Sequence, residues 1–101
     1  NGEHMELLSL KMDGRALGSS EFQRSAEKLV VLRPGRERFE LEVVNKINPT
    51  ENKSCEGFYR SGDQYCTQCE PEGFRRITYF IDRPDVMARY RTRMSAEKAK
   101  Y

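Results

Sequence analysis

From Phe39 to Ile47 the chain alternates: Phe39, Leu41, Val43 and Ile47 take one side, and Glu40, Glu42, Val44 and Lys46 take the other. A period of two marks a half-buried β-strand, because successive side chains of an extended backbone point to opposite faces. Asn48-Pro49 ends this run, since proline cannot donate to a sheet ladder. The same period appears at the start. Leu8, Leu10 and Met12 alternate with Leu7, Ser9 and Lys11 until Asp13-Gly14, a turn pair, and Arg15–Leu17 offers a short returning arm. Glu21–Glu27 is polar and without a clear period. Lys28–Leu32 is apolar and β-branched, a third strand, followed by the turn pair Pro34-Gly35. Strands separated by short turns, without helices between them, predict antiparallel β structure.

The second half is more irregular. Thr50–Ser54 is loop, and Gly57-Phe58-Tyr59 leads through the turn Ser61-Gly62-Asp63 to Tyr65, a predicted hairpin. Pro71 and Glu72 suit a helix start, so one short helix is expected near residues 70–78, although Gly73 weakens it. Arg83-Pro84 ends that element. Met87–Met94 alternates again, with Arg89, Arg91 and Arg93 on one face and Tyr90, Thr92 and Met94 on the other, which predicts a last strand. This strand runs into Tyr101 without a stop signal, and the first begins almost at residue 1. The 101 residues are therefore expected to be a single partial domain cut from a longer chain.

Composition narrows the function. There are 18 basic and 16 acidic residues, and the interspersed charges leave a net charge of only +2, not the footprint of a nucleic-acid binder. The three arginines of 89–93 can still be read as a phosphate or nucleic-acid face. No aromatic platform accompanies them, so a solvated face, or one paired with Glu40 and Glu42, fits better. No apolar run approaches the roughly 18 residues of a membrane span, and no basic region followed by an apolar stretch opens the chain. No membrane partner is expected, and a cytoplasmic location is. The single histidine, His4, excludes any two-histidine metal site.

The cysteines leave several readings. Cys55, Cys66 and Cys69 are odd in number, so not all can pair within the chain, and reduced thiols are expected. Cys66-Thr67-Gln68-Cys69 has the C-x-x-C spacing. A zinc site from the three cysteines and His4 would have to fold the terminus across half the chain and lacks a second C-x-x-C. A redox pair would need a βαβ setting that the pattern does not show. The simplest reading is small buried thiols. For the chain as a whole, one candidate function is a small β interaction module with a structural zinc or a redox C-x-x-C.

A longer pattern supports a different function. Thr67-Gln68-Cys69-Glu70, with Arg75 five residues after the Glu and then Phe80, Asp82 and Pro84, resembles the N-terminal domain of the bacterial aminopeptidase N family, which are gluzincin-type zinc metallopeptidases. Leu41–Pro49, Glu56–Tyr59, Ser61–Asp63 and Met87–Tyr90 fit the same branch. The likeness is good over residues 38–101 and looser before. The resemblance implies an antiparallel β-sandwich or saddle, truncated here, that packs against a thermolysin-like catalytic domain. It implies a parent enzyme that releases N-terminal residues by zinc-assisted attack of water. The zinc ligands of the family lie in H-E-x-x-H and a downstream Glu, and neither that motif nor G-A-M-E-N occurs in this chain. No catalytic residue, metal ligand or cofactor is therefore expected in this fragment, which should be inactive alone. Carried over by position, Glu70 would hold the free α-ammonium of the peptide substrate, and Gln68 would line the first side-chain subsite. Arg75 is a candidate anchor of that loop, paired with an acidic group such as Asp82. The open edges of a cut β domain also make an edge-mediated homodimer of the fragment an expectation.

Overall fold

The computed structural model describes residues 1–32, 35 and 37–101. Among the described residues there are three small antiparallel sheets and one 3-10 turn. The first sheet has the order β2-β1-β5, with β1 Glu6–Met12, β2 Arg15–Ala16 and β5 Leu41–Lys46. β1 and β2 are joined by Asp13-Gly14 with Met12 opposite Arg15. Both turn residues have positive φ, 49° and 81°, the two-residue geometry that twists with the strands. The Asp13 amide donates to the Glu40 carbonyl at 2.8 Å, and the Glu40 amide donates to Asp13 Oδ1 at 2.9 Å, so the turn also starts β5.

The alternation of β1 survives only in part. Between Leu7, opposite Asn45, and Ser9, opposite Val44, the register shifts and Leu8 has no counterpart. A bulge of this kind turns one side chain out of the ladder. Leu8 is 55% exposed, whereas Leu10 and Met12, opposite Val43 and Leu41, form the buried apolar centre among the described residues. The segment between Ser20 and Lys28, without a clear period, contains β3, Phe22–Arg24, which pairs with β4, Leu29–Val31. Pro34 lies outside the described residues, so the predicted Pro34-Gly35 turn is not described.

The predicted hairpin is present as β6 Gly57–Ser61 and β7 Gln64–Gln68, in register from Gly57 opposite Gln68 to Ser61 opposite Gln64. The expected short helix reduces to one 3-10 turn, Phe74–Arg76. Pro71 does not start it. Glu70-Pro71-Glu72-Gly73 is a separate β-turn, closed by the Gly73 amide on the Glu70 carbonyl at 2.8 Å. The strand predicted over Met87–Met94 does not form. These residues belong to no sheet, and Arg89, Arg91 and Arg93 are all exposed. Alternation is a property of one chain, but a strand also needs a neighbour to take its hydrogen bonds. β5, whose Glu40–Glu42 flank was the expected neighbour, pairs with β1 on one side, and residues 87–94 do not take up its other edge.

Candidate functional site

The end of β7 and the turn after it carry Gln68 and Glu70, the two residues that the resemblance singled out. β7 fixes Gln68 by pairing it with Gly57, and the chain then leaves the sheet through Cys69 and Glu70. The Gln68 and Glu70 side chains are both exposed and meet, with Gln68 Nε2 donating to Glu70 Oε1 at 3.4 Å. An amide beside a carboxylate, both open to solvent, presents acceptors to an incoming cation. After Glu70, Pro71 occupies the first central position of the turn. Glu72 occupies the second with φ 74°, the left-handed conformation this turn type demands and that favours glycine or asparagine.

The far side of the turn is anchored by charge. Arg75 Nε donates to Asp82 Oδ2 at 2.9 Å, the Arg75 amide donates to the same oxygen at 3.1 Å, and Arg75 Nη2 donates to the Asp82 carbonyl at 3.0 Å. The two side chains are only 15% and 12% exposed. The anchor anticipated for Arg75 is therefore present, and the hydrogen bond to Asp82 raises the guanidinium pKa further above its ordinary value. Arg76 lies between Glu3 and Glu56, at 3.6 Å from each.

Backbone bonds tie the same segment to the start of the chain, with the Glu3 amide donating to the Arg75 carbonyl at 2.9 Å. Asn45, on β5, was not singled out in the sequence. Its Nδ2 donates to the Ile77 carbonyl at 2.9 Å, and its Oδ1 accepts from Thr78 Oγ1 at 2.9 Å, joining the first sheet to the site segment. Phe74, Phe80 and Tyr90 pack against one another with ring centroids 5.4–6.3 Å apart, which holds the 3-10 turn from the other side.

The cysteines are not the small buried thiols of the simplest reading: Cys55 and Cys69 are exposed and Cys66 is half-buried, all three free. Cys69 sits beside the groove formed by Phe74, Phe80 and Tyr90. Partial burial, and then the nearby Asp82 carboxylate, raise its thiol pKa above the ordinary value. Among the described residues, no group of three His, Cys, Asp or Glu side chains is placed to hold a metal ion. Among the described residues, no helix is long and apolar enough to cross a membrane.

Residues 6–101 match the peptidase M1 N-terminal domain. The chain belongs to that family. It is 45% identical over 101 residues to aminopeptidase N of Escherichia coli K12, covering all of this chain and 11% of that protein. It is 46% identical over 97 residues to aminopeptidase N of Caulobacter vibrioides, covering 96% of this chain and 11% of that protein. It is 44% identical over 103 residues to aminopeptidase N of Haemophilus influenzae, covering all of this chain and 12% of that protein. The chain thus spans about a tenth of the length of these relatives. The likeness also reaches well before residue 38, where the residues alone carried it only loosely.

Proposed function

We propose that this chain forms a part of the N-terminal β domain of a cytoplasmic zinc aminopeptidase and supplies the loop that receives the substrate's free α-ammonium. The observation that carries the reading is the meeting of Gln68 and Glu70 at the open end of the β6–β7 hairpin, within a chain related along its whole length to aminopeptidases N. Glu70 accepts a charge-assisted hydrogen bond from the ammonium, and Gln68 lines the first subsite. In the cleft of the whole enzyme, a substrate without that charge leaves Glu70 desolvated and unpaired, and the enzyme discriminates against blocked peptides. The same bond holds the scissile carbonyl in register. The H-E-x-x-H motif does not occur in this chain, so in this reading zinc ligation and the attack of water fall to the rest of the enzyme.

In the full-length protein, Glu70→Ala is expected to raise KM, lower kcat, or both, on unblocked peptides. Unchanged kinetics would falsify the assignment. The 101-residue chain alone should show no turnover above a contaminant control. β5 is an edge strand of its sheet, and we infer that the chain in isolation associates through such an edge. A strictly monomeric species by sedimentation at micromolar concentration would contradict that.

A further inference from the structure

Gly73 is out of place for a turn glycine. The turn Glu70–Gly73 needs its left-handed residue at the third position, and there the chain carries Glu72, at φ 74°. Gly73 itself has φ −88° and ψ −28°, an ordinary right-handed conformation open to any L-residue. Backbone freedom therefore does not explain this glycine, but contact does. A Cβ built at Gly73 would lie 3.1 Å from the Glu70 carbonyl oxygen, 3.2 Å from Cys69 Cα and 3.3 Å from the Gln68 carbonyl oxygen. All three are backbone atoms of the consecutive residues that present the site, and none can swing aside as a flexible side chain would.

The opposite side of Gly73 is closed as well. A Cβ at Gly57, which pairs with Gln68, would lie 3.4 Å from the Gly73 carbonyl oxygen and 2.7 Å from Arg76 Cβ. Gly73 is thus buried between the first residue of β6 and the three residues Gln68–Glu70. The Arg75–Asp82 anchor fixes the segment just beyond it.

We propose that Gly73 is a positioning residue for the amine-binding loop: its bare Cα is the surface on which the backbone of Gln68, Cys69 and Glu70 rests. The inference depends on the reading in which Glu70 receives the α-ammonium. A methyl group at 73 pushes the loop outward by a few tenths of an ångström and moves the Glu70 carboxylate off the ammonium, while the backbone at 73 keeps its conformation. Misplacement of about 1 Å can cost about a hundredfold, so about tenfold is expected for this smaller shift.

The test uses the full-length enzyme and two inhibitors, an amino acid hydroxamate and the same hydroxamate lacking the α-amine. The ratio of their inhibition constants reads amine recognition alone, since a loss of folded enzyme leaves the ratio unchanged. Gly73→Ala should lower the ratio about tenfold, and Glu70→Ala should abolish the preference. Glu72→Gly, which gives the turn its favoured residue and leaves the contact at 73 intact, should keep the ratio within twofold. If Glu70→Ala abolishes the preference while Gly73→Ala leaves it intact, the positioning role is refuted and the amine reading stands. If Glu70→Ala leaves the preference intact, the amine reading falls and the positioning role with it. Should Gly73→Ala fail to fold, Glu72→Gly decides. A tenfold fall with that variant would mean that turn conformation, not the contact at 73, places Glu70.

Discussion

Removing the Asp82 carboxylate is the perturbation whose cost can be worked most directly from the geometry. In Asp82→Ala, two hydrogen bonds onto Oδ2 are lost: one from Arg75 Nε at 2.9 Å and one from the Arg75 amide at 3.1 Å. The bond from Nη2 to the Asp82 carbonyl survives, because it uses the backbone. The guanidinium, 15% exposed, then stays largely covered without its counter-charge. A hydrogen bond to a charged group contributes about 1.5–3 kcal/mol, and breaking a buried pair by removing one partner costs about 3–5 kcal/mol. This pair is mostly but not wholly covered, so a loss of about 3 kcal/mol is expected.

At about 4–8 °C per kcal/mol for a domain near this size, Tm falls by on the order of 15 °C. Asp82→Asn keeps an acceptor for the Arg75 amide and loses only the charge, so its loss should be about half as large. Arg83–Asp85 provides the control. Its contacts, 2.5 and 3.0 Å, span a similar range, but its side chains are 65% and 62% exposed. Water and side-chain entropy reduce such a pair to at most about 1 kcal/mol, so Asp85→Ala should move Tm far less. Thermal unfolding of the 101-residue chain, monitored by circular dichroism at fixed protein concentration, measures all three variants. An Asp82→Ala shift no larger than that of Asp85→Ala would refute the idea that burial, not distance, sets the strength of this anchor.

Three further outcomes are expected. Glu21 accepts both Arg15 guanidinium nitrogens, at 2.9 and 2.7 Å, and this hydrogen bonding, with help from the Gly18 amide, lowers its pKa to about 2. A carboxyl depressed in the folded state stabilises the fold above the ordinary carboxylate range, and that contribution is lost as pH falls toward 2. Titration by NMR should find the low value, and Arg15→Ala should return it toward the ordinary range. The raised pKa of Cys69 predicts slow alkylation by iodoacetamide at neutral pH, accelerating only above the usual thiol range, which peptide mass spectrometry would measure. Leu10, 5% exposed, lies at the centre of the first sheet, and Leu10→Ala should cost about 2–4 kcal/mol in urea unfolding.

The strands were legible where two signals coincided, a period of two and a turn pair with the right backbone demands. Asp13-Gly14 and Ser61-Gly62-Asp63 each bracketed a hairpin that forms. Period alone misled at Met87–Met94, because alternating side chains say nothing about whether a neighbouring strand is present. It also missed the bulge at Leu8, which depends on how β1 registers against β5, far along the chain. At the candidate site, the Arg75 anchor was readable from the motif, while Gln68 and Glu70 were named there by resemblance. The roles of Asn45 and Gly73 were not. Asn45 acts across 32 residues, and Gly73 was read only as a weak helix former, because a missing side chain shows its purpose only in what stands against it.

The central claim, that Glu70 receives the substrate's α-ammonium, is tested most directly by kcat/KM of the full-length enzyme on one unblocked peptide substrate, wild type against Glu70→Ala. A charge-assisted hydrogen bond of about 1.5–3 kcal/mol corresponds to a loss of about 10- to 150-fold. A loss in that range, with the folded enzyme otherwise intact, is the predicted result. A kcat/KM within twofold of wild type would contradict the account.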